Sequence, residues 1–104
     1  MQEIKYIESA ALHDEMARLR NERKMDFLES LTGMDWGEPA ENDAPDTVRG
    51  LGVVYHLEST TTGERIAVKT STLNRENPEI PSVCDLWKAA ELNEREVYDY
   101  YGIV

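Results

Sequence analysis

The sequence predicts an α+β domain: a small, mostly antiparallel sheet with helices packed on one face, in the order strand, helix, strand, hairpin, helices. Three observations carry this prediction. "LGVVYHLES" (51–59) and "RIAVKTSTL" (65–73) alternate apolar and polar residues across a short turn containing Gly63, the pattern of a β-hairpin. Leu12, Met16 and Leu19 recur at helical spacing ahead of it. Val83, Leu86, Trp87 and Ala90 do the same behind it. The chain has 104 residues, the length of a single domain with one modest core.

In chain order, "IKYIE" (4–8) alternates and reads as a short first strand. Ser9 offers an N-cap for a helix running to about Arg23, with Arg18, Arg20, Arg23 and Lys24 near its end, where cations complement the helix dipole. "MDFLESLTGMDW" (25–36) reads as a second strand, with Phe27 and Leu31 expected on one side and Leu28 on the other. Residues 37–47 hold two prolines, four acids and no apolar periodicity, and are expected to be a mobile acidic loop. In the hairpin, Leu51, Val53, Tyr55 and Leu57 face one way and Val54 and His56 the other. Pro78 and Pro81 then hold the chain extended, since each disfavours the helical region for its predecessor. Ser82 with Asp85 forms a capping-box pattern, repeated by Asn93 with Glu96. A second short helix, or a continuation after a kink, runs to about Tyr101, with Gly102 as its stop.

Composition excludes several function classes. The net charge is −10, from 21 acidic and 11 basic residues, which opposes non-specific nucleic-acid binding and a polybasic membrane anchor. One cysteine forms no internal disulfide and points to a reducing compartment. No apolar run approaches the about 20 residues that span a bilayer. The start of the chain is too charged for a secretory signal, so the expected location is cytosolic, or peripheral on a membrane complex.

Catalytic motifs are sparse. His13 and His56 lie far apart, without partners at metal-ligand spacing, and read as structural residues. Cys84, expected beside an apolar face in the first turn of a helix, reads as a buried, inert thiol, with a thiol activated by the helix N-terminus as the competing reading. Neither phosphate-binding glycine pattern occurs, nor does the nucleophile elbow. Glu91, Glu94, Glu96 and Asp99 crowd one segment, and acid–base chemistry through Glu94 and Asp99 is one use of such carboxylates. Four-residue spacing of Glu91, Arg95 and Asp99 favours a salt-bridged helix face instead. Trp87, Tyr98, Tyr100 and Tyr101 beside those charges are the composition of a protein–protein contact surface.

The block from Asn77 to Ile103 resembles the signature of the 30 kDa-type subunit of respiratory complex I, the proton-pumping NADH:quinone oxidoreductase. The resemblance lies in Pro78, Ile80, Pro81, Ser82, Trp87, Ala89, Ala90, the run Glu94-Arg95-Glu96-Val97-Tyr98-Asp99, Gly102 and Ile103. "VVYHLES" with "RIAVKT" is similar to the family's central hairpin, and "LTGMDW" to its preceding strand, so the likeness runs from about residue 25 to the end. Glu91-Leu92 stands where the family usually has Asn-Trp, and Tyr100-Tyr101 where Met-Phe is common. Family members continue after Gly-Ile with a basic stretch, so the chain reads as truncated at Val104. The resemblance implies a non-catalytic structural subunit of the peripheral arm, on the cytoplasmic side of the membrane. It implies no cofactor on this chain, with NAD, FMN, iron–sulfur clusters and quinone in partner subunits. The implied partners are the quinone-site subunit, with which members of the family are sometimes fused, and cluster-bearing neighbours. They would be met through Trp87, Glu94, Arg95, Glu96, Tyr98, Asp99 and Tyr101. Related domains of membrane-bound hydrogenases and other quinone- or ferredoxin-linked complexes carry a similar signature and form the second reading.

Overall fold

Four strands build one sheet in a computed structural model that describes residues 3–44, 47–72, 80–87, 90, 94 and 95. Strand β1 (Glu3–Tyr6) is followed by a short 3-10 turn (Ser9–Ala11) and helix α1 (Leu12–Glu22). Strands β2 (Phe27–Asp35), β3 (Leu51–Glu58) and β4 (Arg65–Thr72) complete the set. The spatial order is β1-β4-β3-β2. β2, β3 and β4 pair antiparallel, and β1 joins the β4 edge in parallel. The fold is therefore α+β with a mixed, mostly antiparallel sheet, as the alternation of the strands predicts.

Alternation decides which side of the sheet is dry. Leu51, Val53, Tyr55 and Leu57 of β3 stand with Ile66 and Val68 of β4 on one face, and all six are buried. Leu12, Met16 and Leu19 of α1, spaced to share one helix stripe, close over that face together with Ile80, Val83, Trp87 and Ala90. Val54 and Ala67 alternate to the opposite side, where they are buried outside this cluster. Burying a side chain of this size contributes about 1.5–3 kcal/mol relative to leaving it in water, so the one-sided cluster dominates stability.

Three local expectations need correction. Ser9 does not cap α1: it opens the 3-10 turn, and neither that turn nor the helix has a side-chain cap at its N-terminus. Leu28 and Leu31 are both in the core while Phe27 is 46% exposed, the reverse of the expected pairing of Phe27 with Leu31. The cause is a bulge at Glu29: Leu28 is in register with Leu57 but Ser30 with His56, and the extra residue flips the parity of the strand. Cys84 is exposed, because residues 84–86 form a turn whose outer side carries the thiol.

Both ends of the helix–strand connection are pinned. Lys24 adopts a left-handed conformation (φ 58°), which turns the Met25 N–H back onto the Leu19 carbonyl at 3.2 Å. Asp26 then accepts from the Thr60 N–H (2.9 Å) and hydroxyl (2.5 Å), holding the tip of the β3–β4 hairpin. Those two donors keep the Asp26 carboxyl below its ordinary pKa. Arg23 reaches Glu64 (2.8 Å) and Glu3 (3.2 Å), joining helix, hairpin and β1.

The β2–β3 connection has a clamp of its own. Arg49 donates to both carboxylate oxygens of Asp43 (2.9 and 2.5 Å) and to the Trp36 carbonyl (3.0 Å). Asp43 also accepts from the Ala40 N–H. The Arg49 guanidinium, with that N–H, lowers the Asp43 pKa to about 2.

Candidate interaction site

The segment after the hairpin is the part of the sequence richest in candidate residues, and its described part is fixed from inside. Ile80 and Val83 enter the core from a stretch without regular secondary structure, leaving Pro81 and Ser82 exposed. The chain then folds into a tight turn in which the Leu86 and Trp87 N–H groups both donate to the Val83 carbonyl (3.0 and 3.1 Å). Trp87 is buried among the core side chains, and its indole N–H donates to the Met25 carbonyl at 3.0 Å. An indole placed away from water needs such an acceptor.

Ser82 and Asp85 do not form the expected capping box. The Ser82 hydroxyl donates to Glu94 at 2.8 Å, and its oxygen accepts from the Cys84 N–H at 3.2 Å. Glu94 also accepts from the Val83 N–H at 3.2 Å, so a carboxylate twelve residues downstream of Ser82 caps this turn. Asp85 instead meets His13 of α1, with Nε2 and Oδ2 2.7 Å apart. The imidazole partner holds the Asp85 carboxyl below its usual range. That contact spans 72 positions of sequence and is invisible to any local spacing rule.

Glu94 has a further neighbour. Tyr55, buried at the centre of β3, has its phenol pKa pushed up first by burial and then by the negative charge of Glu94. The candidate carboxylate thus sits against the core side of the sheet, hydrogen-bonded to the turn it stabilises. Arg95, the next residue, is exposed. The other expected contact residues, Glu96, Tyr98, Asp99 and Tyr101, lie outside the described residues, as do Glu91 and the Asn93–Glu96 capping pattern.

Beside this turn runs a shallow groove lined by Arg20, Asp26, Phe27, Asp85 and Leu86, with Trp87 at its base. It mixes charge of both signs with partly exposed apolar surface, the character of a contact surface. Among the described residues, no group of three or more His, Cys, Asp and Glu side chains converges for a metal ion, and no helix is long and apolar enough to cross a membrane.

Comparison with known proteins assigns the chain. The family described as "Respiratory-chain NADH dehydrogenase, 30 Kd subunit" matches residues 5–104. A Bacteroides fragilis protein, named as the C/D subunit of NADH-quinone oxidoreductase, is 80% identical over all 104 residues. One of Bacteroides thetaiotaomicron with the same name is 73% identical over the same length. The chain spans 20% of the length of each of these two relatives. The C subunit of the Moorella thermoacetica NADH-quinone oxidoreductase is 36% identical over 88 residues, covering 85% of this chain and 53% of that protein. In three dimensions the chain is similar to one chain in the structure of a membrane-bound sulfane sulfur reductase, described as an archaeal respiratory membrane complex. The TM-score is 0.64 at 20% identity, over all of this chain and 57% of that one, a likeness of fold. With nearly its whole length matched, the chain belongs to the family of the 30 kDa subunit of respiratory-chain NADH dehydrogenase, or complex I.

Proposed function

We propose that the chain is a non-catalytic structural unit of the peripheral arm of an NADH–quinone oxidoreductase. It holds the quinone-site subunit in place while electrons pass from NADH to quinone elsewhere in the complex. The observation that carries this reading is the family match over residues 5–104. The use of the described polar side chains supports it. Glu94 caps the turn at Ser82 and Val83, and Asp85 binds His13, so these groups tie the domain together instead of converging on a substrate-sized cleft.

On this reading NAD, flavin, iron–sulfur clusters and quinone all sit in partner chains, and the domain associates with the cytoplasmic side of the membrane only through the complex. The two Bacteroides relatives carry the double name C/D and are about five times longer than this chain. Their length supports the quinone-site subunit as the immediate neighbour, within the same polypeptide. Affinity purification through a tag on this chain tests the reading. Co-purifying cluster-bearing subunits, with no flavin or iron retained on this polypeptide after the subunits are separated, are the expected result. Stoichiometric flavin or iron on the chain, or NADH oxidation by the chain alone, contradicts it.

A further inference from the structure

We propose that residues 23–26, between α1 and β2, form a hub that couples the turn carrying Trp87 to the tip of the β3–β4 hairpin, so that loosening one loosens the other. The coupling stands on contacts within this chain and is independent of the subunit reading above.

Four consecutive residues are tied to four different parts of the fold. Arg23 reaches Glu3 of β1 (3.2 Å) and Glu64 at the hairpin tip (2.8 Å). Lys24 holds the left-handed conformation that reverses the chain after α1. Met25 is fully buried, its N–H donating to the Leu19 carbonyl of α1 (3.2 Å) and its carbonyl accepting from the Trp87 indole (3.0 Å). Asp26 accepts from the Thr60 N–H (2.9 Å) and hydroxyl (2.5 Å).

The link between the last two contacts is covalent. The Met25 carbonyl and the Asp26 N–H and Cα belong to one planar peptide unit, which moves as a rigid body. That unit is held on both edges, because the Asp26 N–H donates to the Lys24 carbonyl at 2.8 Å. A tilt that lengthens the Trp87 bond therefore swings the Asp26 carboxylate relative to Thr60, and a pull on Thr60 is felt at Trp87. Groups that share one bonded network couple in this way, whereas distant groups do not.

Both ends are placed to respond. At the tip, residues 60–64 are exposed, and the bonds made by Ser59 to Thr62, Gly63 and Glu64 stay within the turn. Its anchors on the hub are Thr60 and Glu64. On the other side, the turn at 84–87 is closed by the Leu86 and Trp87 N–H groups on the Val83 carbonyl. The groove lies over the joint, lined by Asp26, Phe27 and Leu28 from the hub side and by Asp85, Leu86 and Trp87 from the turn. A group that enters it touches both coupled parts, so its binding is reported at the hairpin tip.

Hydrogen exchange of the whole polypeptide, read by mass spectrometry, tests the coupling in both directions. Thr60→Val, at an exposed position, removes the hydroxyl donor and keeps the side-chain shape. It should speed exchange of the Leu86 and Trp87 amides about threefold or more. Thr61→Val, the matched change one position along the tip, should leave those two amides at wild-type rates. Trp87→Phe should speed exchange of the Thr60 amide about fivefold or more. The Trp36 and Gly50 amides, which pair β2 with the β3 side at the opposite end of the sheet, should keep their wild-type rates. Unchanged Leu86 and Trp87 amides in Thr60→Val overturn the proposal, as does an equal effect of Thr61→Val. An equal rise at Thr60, Trp36 and Gly50 in Trp87→Phe is general loosening and overturns it too. Exchange is read without partner subunits, so its outcome and that of the co-purification are separate.

Discussion

Single side chains set the local geometry of this domain at positions where the usual residue is absent or where no other residue fits. Lys24 occupies a left-handed conformation that glycine takes at no steric cost, and a non-glycine residue there is strained by about 1–3 kcal/mol. Lys24→Gly should therefore stabilise the domain by about 0.5–1 kcal/mol after the entropic cost of glycine, read as a higher midpoint in urea. Gly52 is the opposite case. A Cβ there would collide with the Thr70 carbonyl and the Trp36 ring, so the ring lies across β3 only because position 52 has no side chain. Gly52→Ala should cost about 1–3 kcal/mol and shift the Trp36 fluorescence. Asp43 makes a prediction about acid. Its folded pKa of about 2 lies below the ordinary 3.8, so the clamp's contribution is fully present above the ordinary value and fades as pH falls through about 2. A carboxyl titration by NMR should find the Asp43 midpoint near 2 in the wild type, and Arg49→Gln should move it up toward 3.8.

At the scale of elements, hairpin and helix were legible in the sequence because their signals are local. Period-two alternation over residues 51–59 and 65–73, with Gly63 in the turn between, is sufficient to place β3 against β4 and to say which residues face the core. The stripe of Leu12, Met16 and Leu19 is equally sufficient for α1. Strand β2 was half legible: its existence followed from the apolar run, but the bulge at Glu29 inverts the faces, and no spacing rule reveals an extra residue in a strand. The segment after the hairpin was misread locally for a different reason. Ser82 and Asp85 have the spacing of a capping box, yet Glu94 and His13 are the partners that satisfy them, and both come from elsewhere in the chain. Trp87 reads as a contact residue by composition, whereas its indole N–H belongs to the Met25 carbonyl. Trp87→Phe should thus cost about 1–3 kcal/mol by leaving that buried carbonyl unpaired, measured by thermal unfolding. Glu94→Gln should cost about 1 kcal/mol, because one of its two charge-assisted bonds survives as a neutral one.

For the whole molecule, the main core lies between the sheet and the elements beneath it, in a chain with an excess of acid. The sheet is buried on the face beneath α1, Ile80, Val83 and Trp87, and on its other face Val54 and Ala67 are buried too while Ile4 and Tyr6 at the β1 edge are exposed. The family likeness was legible in the block from Asn77 to Ile103 and is matched over residues 5–104. Composition marks which residues suit an interface but does not show which of them the core also uses, as it does Trp87. Arg95, next to the internally bonded Glu94, is the exposed member of the expected contact set among the described residues. The most direct test of a scaffolding role is NADH:quinone turnover normalised to the amount of assembled complex, measured for wild type and for Arg95→Glu. A scaffold predicts less assembled complex with turnover per assembled complex unchanged. Full assembly with turnover per complex lost would contradict it and make this chain a participant in the chemistry.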